Sequence, residues 1–159
     1  MTKKGQSSMV AGWREWVSLP SAGVPWIKAK LDTGARSSSV HAYDVTVFGE
    51  GATERVRFRV QPWQESGKDA VVVECPVHDR RRVRSSSGHS EERIVVMMSI
   101  QILGRLIDAE MTLTNRDEMG FRMLIGRQAL RQGFLVDSSK SFLGGRAPSE
   151  IRRRNRNRQ

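Results

Sequence analysis

Two short stretches carry residues whose types and spacing could do chemistry. In KLDTGARSSS, residues 30–39, an alternating run of Pro25, Ile27, Ala29 and Leu31 leads into Asp32, Thr33 and Gly34. A carboxylate just past a strand with one buried face, followed by Thr and Gly, can be restrained in a turn by backbone N–H groups and a hydroxyl. A restrained carboxylate suits acid–base work. In FRMLIGRQAL, residues 121–130, the apolar pair Leu124 and Ile125 runs into Gly126 and Arg127. Asp-Thr-Gly by itself is a weak motif, because Asp and Gly are ordinary turn formers.

Other reactive residue types form no constellation. The serines at 37–39 and 85–87 lack a His and an acid at a spacing that would activate them, so they read as turn and loop residues. His41, His78, His89 and Cys75 are scattered, with no His-Glu-x-x-His, no Cys-x-x-Cys and no phosphate-binding Gly-x-x-x-x-Gly-Lys. Neither a metal nor another cofactor is expected. Trp13, Trp16, Trp26 and Trp63 could stack bases but read as core or interface residues of a β domain.

The elements that must position Asp32 are mostly strands. In ERVRFRV, Val56, Phe58 and Val60 share one face against Arg55, Arg57 and Arg59. In IDAEMTLT, Ile107, Ala109, Met111 and Leu113 share one against polar neighbours. VVVEC at 71–75 and RIVVMMSIQI at 93–102 add extended runs, and Leu103, Gly104 and Arg105 make a turn that joins the latter to the next strand as a hairpin. One short helix is expected at 127–133, ended by Gly133.

The chain has 159 residues and a formal net charge of +10, with six Arg and one Glu in 146–159. Its length suits one domain with a tail. Such charge favours acidic partners such as nucleic acid, an anionic surface or acidic peptide, without choosing among them. A lone Cys75 excludes an internal disulfide. No run resembles a signal peptide or a membrane span, so a cytoplasmic protein is expected, without a membrane partner. The expected organisation is a flexible N-terminus at 1–9, a mostly β domain at 10–145 and a disordered basic tail at 146–159, whose composition buries too little to offset chain entropy.

Taken together, Asp-Thr-Gly-Ala after an apolar strand and apolar-apolar-Gly-Arg before a short helix resemble the retropepsin-like aspartic peptidases. GWREWV, KAKLDTGARSSSVHA, DRRRVRSSSGHSEER, TNRDEMGFRMLIGR and FLVDSSKSFL resemble that superfamily's bacterial branch, over residues 10–143. This branch is often catalogued as ATP-dependent zinc proteases and linked with a ligase that adds glutamates to a ribosomal protein. The fold implied is a closed β-barrel of the acid protease type with one short C-terminal helix.

The resemblance also implies a mechanism. One Asp-Thr-Gly per chain requires a homodimer, in which a two-fold axis supplies the second Asp32. One carboxylate, ionised, activates water while the other protonates the scissile carbonyl. Thr33 would brace the pair, and Gly34 and Ala35 would lie along the substrate. Leu124, Ile125, Gly126 and Arg127 would support the loop, Gly126 because a side chain there would collide with it. The lid should be the hairpin at 82–96, with its tip near residues 86–89, placing Arg84, Ser87, Gly88 and His89 against substrate.

Viral retropepsins carry an acidic residue after Asp-Thr-Gly-Ala that pairs with the Arg after Ile-Gly. Here that position is Arg36, so Arg127 must find another anion, with Asp117, Glu118 and Asp137 as candidates. Arg36, with Arg80, Arg81, Arg82 and Arg84 near the lid, suits carboxylate-rich substrates. The expected function is an aspartic endopeptidase acting on acidic, glutamate-rich segments such as a glutamylated ribosomal protein. The alternative is a non-catalytic module of the same fold that regulates the glutamate ligase or binds the ribosome or RNA.

Overall fold

The structure is a computed structural model, and it describes residues 7–62, 70–84, 88–114 and 120–156. The chain runs through β1 (Met9–Gly12), β2 (Arg14–Leu19), β3 (Val24–Asp32), β4 (Ser38–His41), β5 (Tyr43–Phe48), β6 (Arg55–Val60) and β7 (Val71–Pro76). It continues through β8 (Asp79–Arg84), β9 (Ser90–Ile102), β10 (Arg105–Thr114), β11 (Met123–Gly126), helix α1 (Arg127–Leu130), β12 (Phe134–Asp137) and helix α2 (Ser149–Arg156). The fold is mostly β, as the alternating patterns require.

The largest sheet orders its strands β10, β4, β11, β3, β2, β9, β8, and a second pairing of β10 with β9 closes six of them into a ring. β5, β6 and β7 form a separate antiparallel sheet, and β1 pairs in parallel with β12. The ring-like arrangement agrees with the retropepsin-like fold. Inside it lie Ile27, Ala29, Leu31, Val40, Ile100, Met111, Met123 and Ile125, while Val56, Phe58 and Val60 turn the inner face of β6 toward the same core. These strands read correctly from sequence because side chains alternate faces along a strand.

Three local features differ from the sequence reading. Pro25 is exposed and Val24 is buried, because the β2–β3 pairing shifts register between Val17 and Leu19 and changes which residues face inward near the turn. The helix at 127–133 is one α turn followed by hydrogen-bonded turns, ending at Gly133 with a φ of 141°. In the basic segment, where composition suggested disorder, Ser149–Arg156 forms a second helix. It starts with the Arg152 N–H donating to the Pro148 carbonyl at 3.0 Å, has Glu150 in its first turn, and is built largely of Arg, a good helix former.

Candidate active site

Asp32 is the last residue of β3, and β3 runs parallel to β11 with Asp32 in register with Gly126. Leu124 and Ile125 pair with Lys30 and Leu31, so the two stretches that stood out in the sequence are neighbours in one sheet. Beyond Asp32 the chain turns sharply: the Ala35 N–H donates to the Asp32 carbonyl at 3.2 Å, and the Gly34 N–H donates to Asp32 Oδ1 at 2.9 Å. The carboxylate is thus held by its own loop. Thr33 and Gly34 are exposed and Asp32 is half-buried, leaving the loop open on one side.

The back of the loop is closed by α1. A helix leaves its first N–H groups without intrahelical partners. Here the Arg127 N–H donates to the Ala35 carbonyl at 2.7 Å and the Gln128 N–H to the Arg36 carbonyl at 3.1 Å, so the loop caps the helix. The Gly126 N–H donates to Ser38 Oγ at 2.9 Å, a buried bond. A Cβ on Gly126 would sit 2.7 Å from the Ser37 carbonyl carbon and 2.9 Å from the Ala35 oxygen, so only glycine fits. Leu124, Ile125, Gly126 and Arg127 therefore contact or adjoin the Asp32 loop.

Arg127 does not use Asp137 as its counterion. Its Nη1 donates to the Thr33 carbonyl at 3.2 Å, while Asp137 accepts from the Ser139 N–H and hydroxyl. These bonds hold the Asp137 carboxyl below its ordinary range. Among the described residues, the Arg127 guanidinium thus meets a backbone carbonyl. Asp117 and Glu118 lie outside the described residues, as do Ser87 and Trp63.

Around 82–96, β8 and β9 pair antiparallel, from Asp79↔Val95 to Arg84↔Ser90, with residues 85–87 between them outside the described residues. Arg84, Gly88 and His89 are exposed. Two of the arginines proposed for substrate are already engaged. Arg80 binds Glu54 and Glu92 at 2.5 and 2.8 Å, and Arg81 binds Asp79 and Glu110 at 2.9 and 2.7 Å. The Arg81 guanidinium draws the Glu110 carboxyl down, opposed by burial and helped by His78 at 3.0 Å. Arg36, Arg82 and Arg84 are exposed.

Two contributors escaped the sequence reading. Ser38 was counted among loop serines, yet its hydroxyl anchors Gly126. Glu15, within the GWREWV motif, is fully buried and accepts from the N–H groups of Gly12, Leu143 and Gly144 at 2.7, 2.9 and 3.0 Å. It ties the bend between β1 and β2 to the segment after β12. That bend matters to the site because the Trp13 carbonyl accepts from the Leu31 N–H at 2.7 Å, one residue before Asp32. Trp16 is buried and Trp13 packs edge-on against Phe121, in keeping with structural roles.

Among the described residues no three His, Cys, Asp or Glu side chains converge. Among the described residues no helix is long and apolar enough to cross a membrane.

A family model described as RimB-like, retropepsin-like aspartic endopeptidase RimB, matches residues 10–147. Over 146 residues the chain is 44% identical to a probable alpha-L-glutamate ligase of Shewanella pealeana, covering 91% of this chain and 32% of that protein. It is 38% identical over 141 residues to the similarly named protein of Desulfotalea psychrophila, covering 89% and 30%. The chain therefore spans about a third of the length of these curated relatives. Among solved structures it is similar to Lpg0085, a Legionella pneumophila protein of unknown function, with a TM-score of 0.72 and 25% identity, covering 87% of this chain and 99% of that one.

Proposed function

Because this chain belongs to the RimB-like family of retropepsin-like aspartic endopeptidases, we propose that residues 10–145 form a peptidase domain that hydrolyses peptide bonds with Asp32. The observation that carries the reading is the held carboxylate: Asp32 at the end of β3, bonded by the Gly34 N–H and backed by Gly126 without a side chain. Family membership alone would be satisfied by a fold without chemistry.

One Asp32 per chain calls for a second copy, and the open side of the loop at Thr33 and Gly34 is where a two-fold partner would bring its own carboxylate. The ionised member takes a proton from water, whose oxygen adds to the scissile carbonyl carbon. The protonated member gives its proton to the carbonyl oxygen. The C–N bond then breaks as the amine takes a proton from one member and a hydroxyl of the tetrahedral diol returns its proton to the other, leaving an acid, an amine and the singly protonated pair. Thr33, Gly34 and Ala35 would border the substrate backbone, and the β8–β9 hairpin would close over it.

The proposed substrate is an acidic, glutamate-rich protein segment, with Arg36 and Arg84 as the cations that receive it. Two facts support this: the carboxylates on the hairpin engage Arg80 and Arg81 and leave Arg84 exposed, and the curated relatives are named for glutamate ligation while containing a region similar to this chain. The basic segment at 146–159 would assist by docking on a polyanion such as the ribosome, and a cytoplasmic setting would follow.

The relatives' names also favour a second reading, a non-catalytic module that regulates a glutamate ligase. Mass spectrometry of a glutamate-tailed ribosomal protein and a mixed peptide library, incubated with wild type and Asp32→Asn, separates the two. Products from wild type alone support the peptidase; ligase activity altered equally by both proteins, with no products, supports the module.

A further inference from the structure

The three-stranded sheet outside the ring presents a face that the peptidase reading does not use. β6 is its central strand, and Arg55, Arg57 and Arg59 all point away from the core while Val56, Phe58 and Val60 are fully buried. On β5, Phe48, Thr46 and Tyr43 stand opposite these three arginines, and on β7 Pro76, Glu74 and Val72 do so. Phe48 is 36% exposed and Val72 53% exposed, and the Arg57 guanidinium lies over the Phe48 ring at 5.8 Å. Tyr43 is half-buried and stacks on His41 with ring centroids 6.0 Å apart.

Alternate residues of a strand repeat about every 6.6–6.8 Å, comparable with the separation of successive phosphates along one nucleic-acid strand. The arginines on β6 thus form a row at that repeat beside an exposed aromatic ring. A flat sheet with aromatic platforms and a row of cations is the arrangement by which proteins hold unpaired bases and their backbone. Two carboxylates share the region. Asp44 meets Arg59 at 3.2 Å, but that pair is at least half exposed on both sides and is easily exchanged for a phosphate. Glu74 faces Arg57 across the ladder, and Arg55 bonds the Glu74 backbone carbonyl rather than its carboxylate.

We propose that the outer face of the β5–β6–β7 sheet binds single-stranded nucleic acid without sequence preference, Arg55, Arg57 and Arg59 contacting phosphates and Phe48 stacking a base. An acidic peptide would satisfy the arginines but leave Phe48 idle, which makes the aromatic ring the discriminating residue. This site is independent of Asp32, so it stands whether or not the chain is a peptidase.

The test is fluorescence anisotropy of the full-length protein with 12-nucleotide uridine RNA and thymidine DNA across a salt series. Four proteins are compared: wild type, Phe48→Ala, the triple Arg55→Gln/Arg57→Gln/Arg59→Gln, and Arg152→Gln/Arg153→Gln in the C-terminal helix. Circular dichroism and thermal melting confirm folding of each. The triple variant should lower the dependence of log affinity on log salt by about 2, near 0.7 for each phosphate that is no longer neutralised. Phe48→Ala should weaken binding by at least about fivefold while leaving that slope unchanged. Tighter binding of one oligomer than the other would identify the natural strand. Binding unchanged in the triple variant but abolished in the helix variant would overturn the proposal. So would a Phe48→Ala protein binding like wild type while polyglutamate displaces the oligomers at equal charge.

Discussion

Gly126→Ala tests the geometry behind Asp32 without requiring any assay of catalysis. Gly126 has φ −96° and ψ −179°, an extended conformation that alanine adopts freely. On conformational grounds alone the substitution should stabilise the protein by about 0.4–1 kcal/mol, through the unfolded chain. Sterics oppose this. The new methyl would lie 2.7 Å from the Ser37 carbonyl carbon and 2.9 Å from the Ala35 oxygen, and both are backbone atoms of the loop. Neither can rotate aside.

The loop would have to move by several tenths of an ångström against the bonds from Arg127 to Ala35, Gln128 to Arg36 and Gly126 to Ser38. Overpacking of this kind costs about 1–3 kcal/mol. The net expectation is a loss of about 1 kcal/mol, or a fall in Tm of roughly 2–4 °C for a domain of this size. Urea denaturation followed by fluorescence, with m unchanged, would measure it. The displacement passes directly to Asp32, so any peptidase activity should fall by about a hundredfold. A variant as stable as wild type would show that the loop does not pass behind Gly126 at this distance, and the account of the site would fail with it.

Glu15→Ala leaves the buried Gly12 N–H and the part-buried Leu143 and Gly144 N–H groups without their carboxylate and should cost about 2–3 kcal/mol, read by the same denaturation. It should also speed hydrogen exchange at Leu31, whose N–H depends on the bend that Glu15 holds; unchanged exchange at Leu31 would contradict the link. The base of the β8–β9 hairpin should weaken in acid. The Arg81 hydrogen bond holds the Glu110 carboxyl below its ordinary 4.5, and the Arg80 N–H and Arg81 hold Asp79 below 3.8. Groups with lowered folded values stabilise above the unfolded value and lose that contribution as pH falls through the folded one. Amide exchange of β8, corrected for intrinsic rate, should therefore accelerate below about pH 4.5 more than that of β10; parallel behaviour of the two strands would refute it.

Much of the fold was legible because its signals are local. Val56, Phe58 and Val60, and Ile107, Ala109, Met111 and Leu113, alternate cleanly and face the core. The pairing of the Asp32 and Gly126 stretches came from their combined resemblance to a family rather than from periodicity, since a parallel contact between distant segments leaves no local trace. The features that escaped share a different cause. The Arg127 guanidinium reaches the Thr33 carbonyl, a backbone bond that no side-chain pattern announces. Glu15 sits in a strand that looks half wet, and its burial depends on three N–H groups contributed from both ends of the chain. Pro25 followed the wrong parity because a register shift nearby cannot be seen in an alternating pattern.

The central claim is that two copies of Asp32 make one catalytic pair, and subunit mixing tests it most directly. Wild type and Asp32→Asn are combined in equal amounts, allowed to exchange subunits, and assayed for cleavage of an acidic peptide at fixed total protein. A shared pair predicts that only wild-type homodimers work, so activity falls to about a quarter of the all-wild-type value, as expected for random pairing across a two-fold interface. Activity of about half, with exchange verified, would mean that each chain acts alone; cleavage retained by Asp32→Asn alone would remove Asp32 from the chemistry.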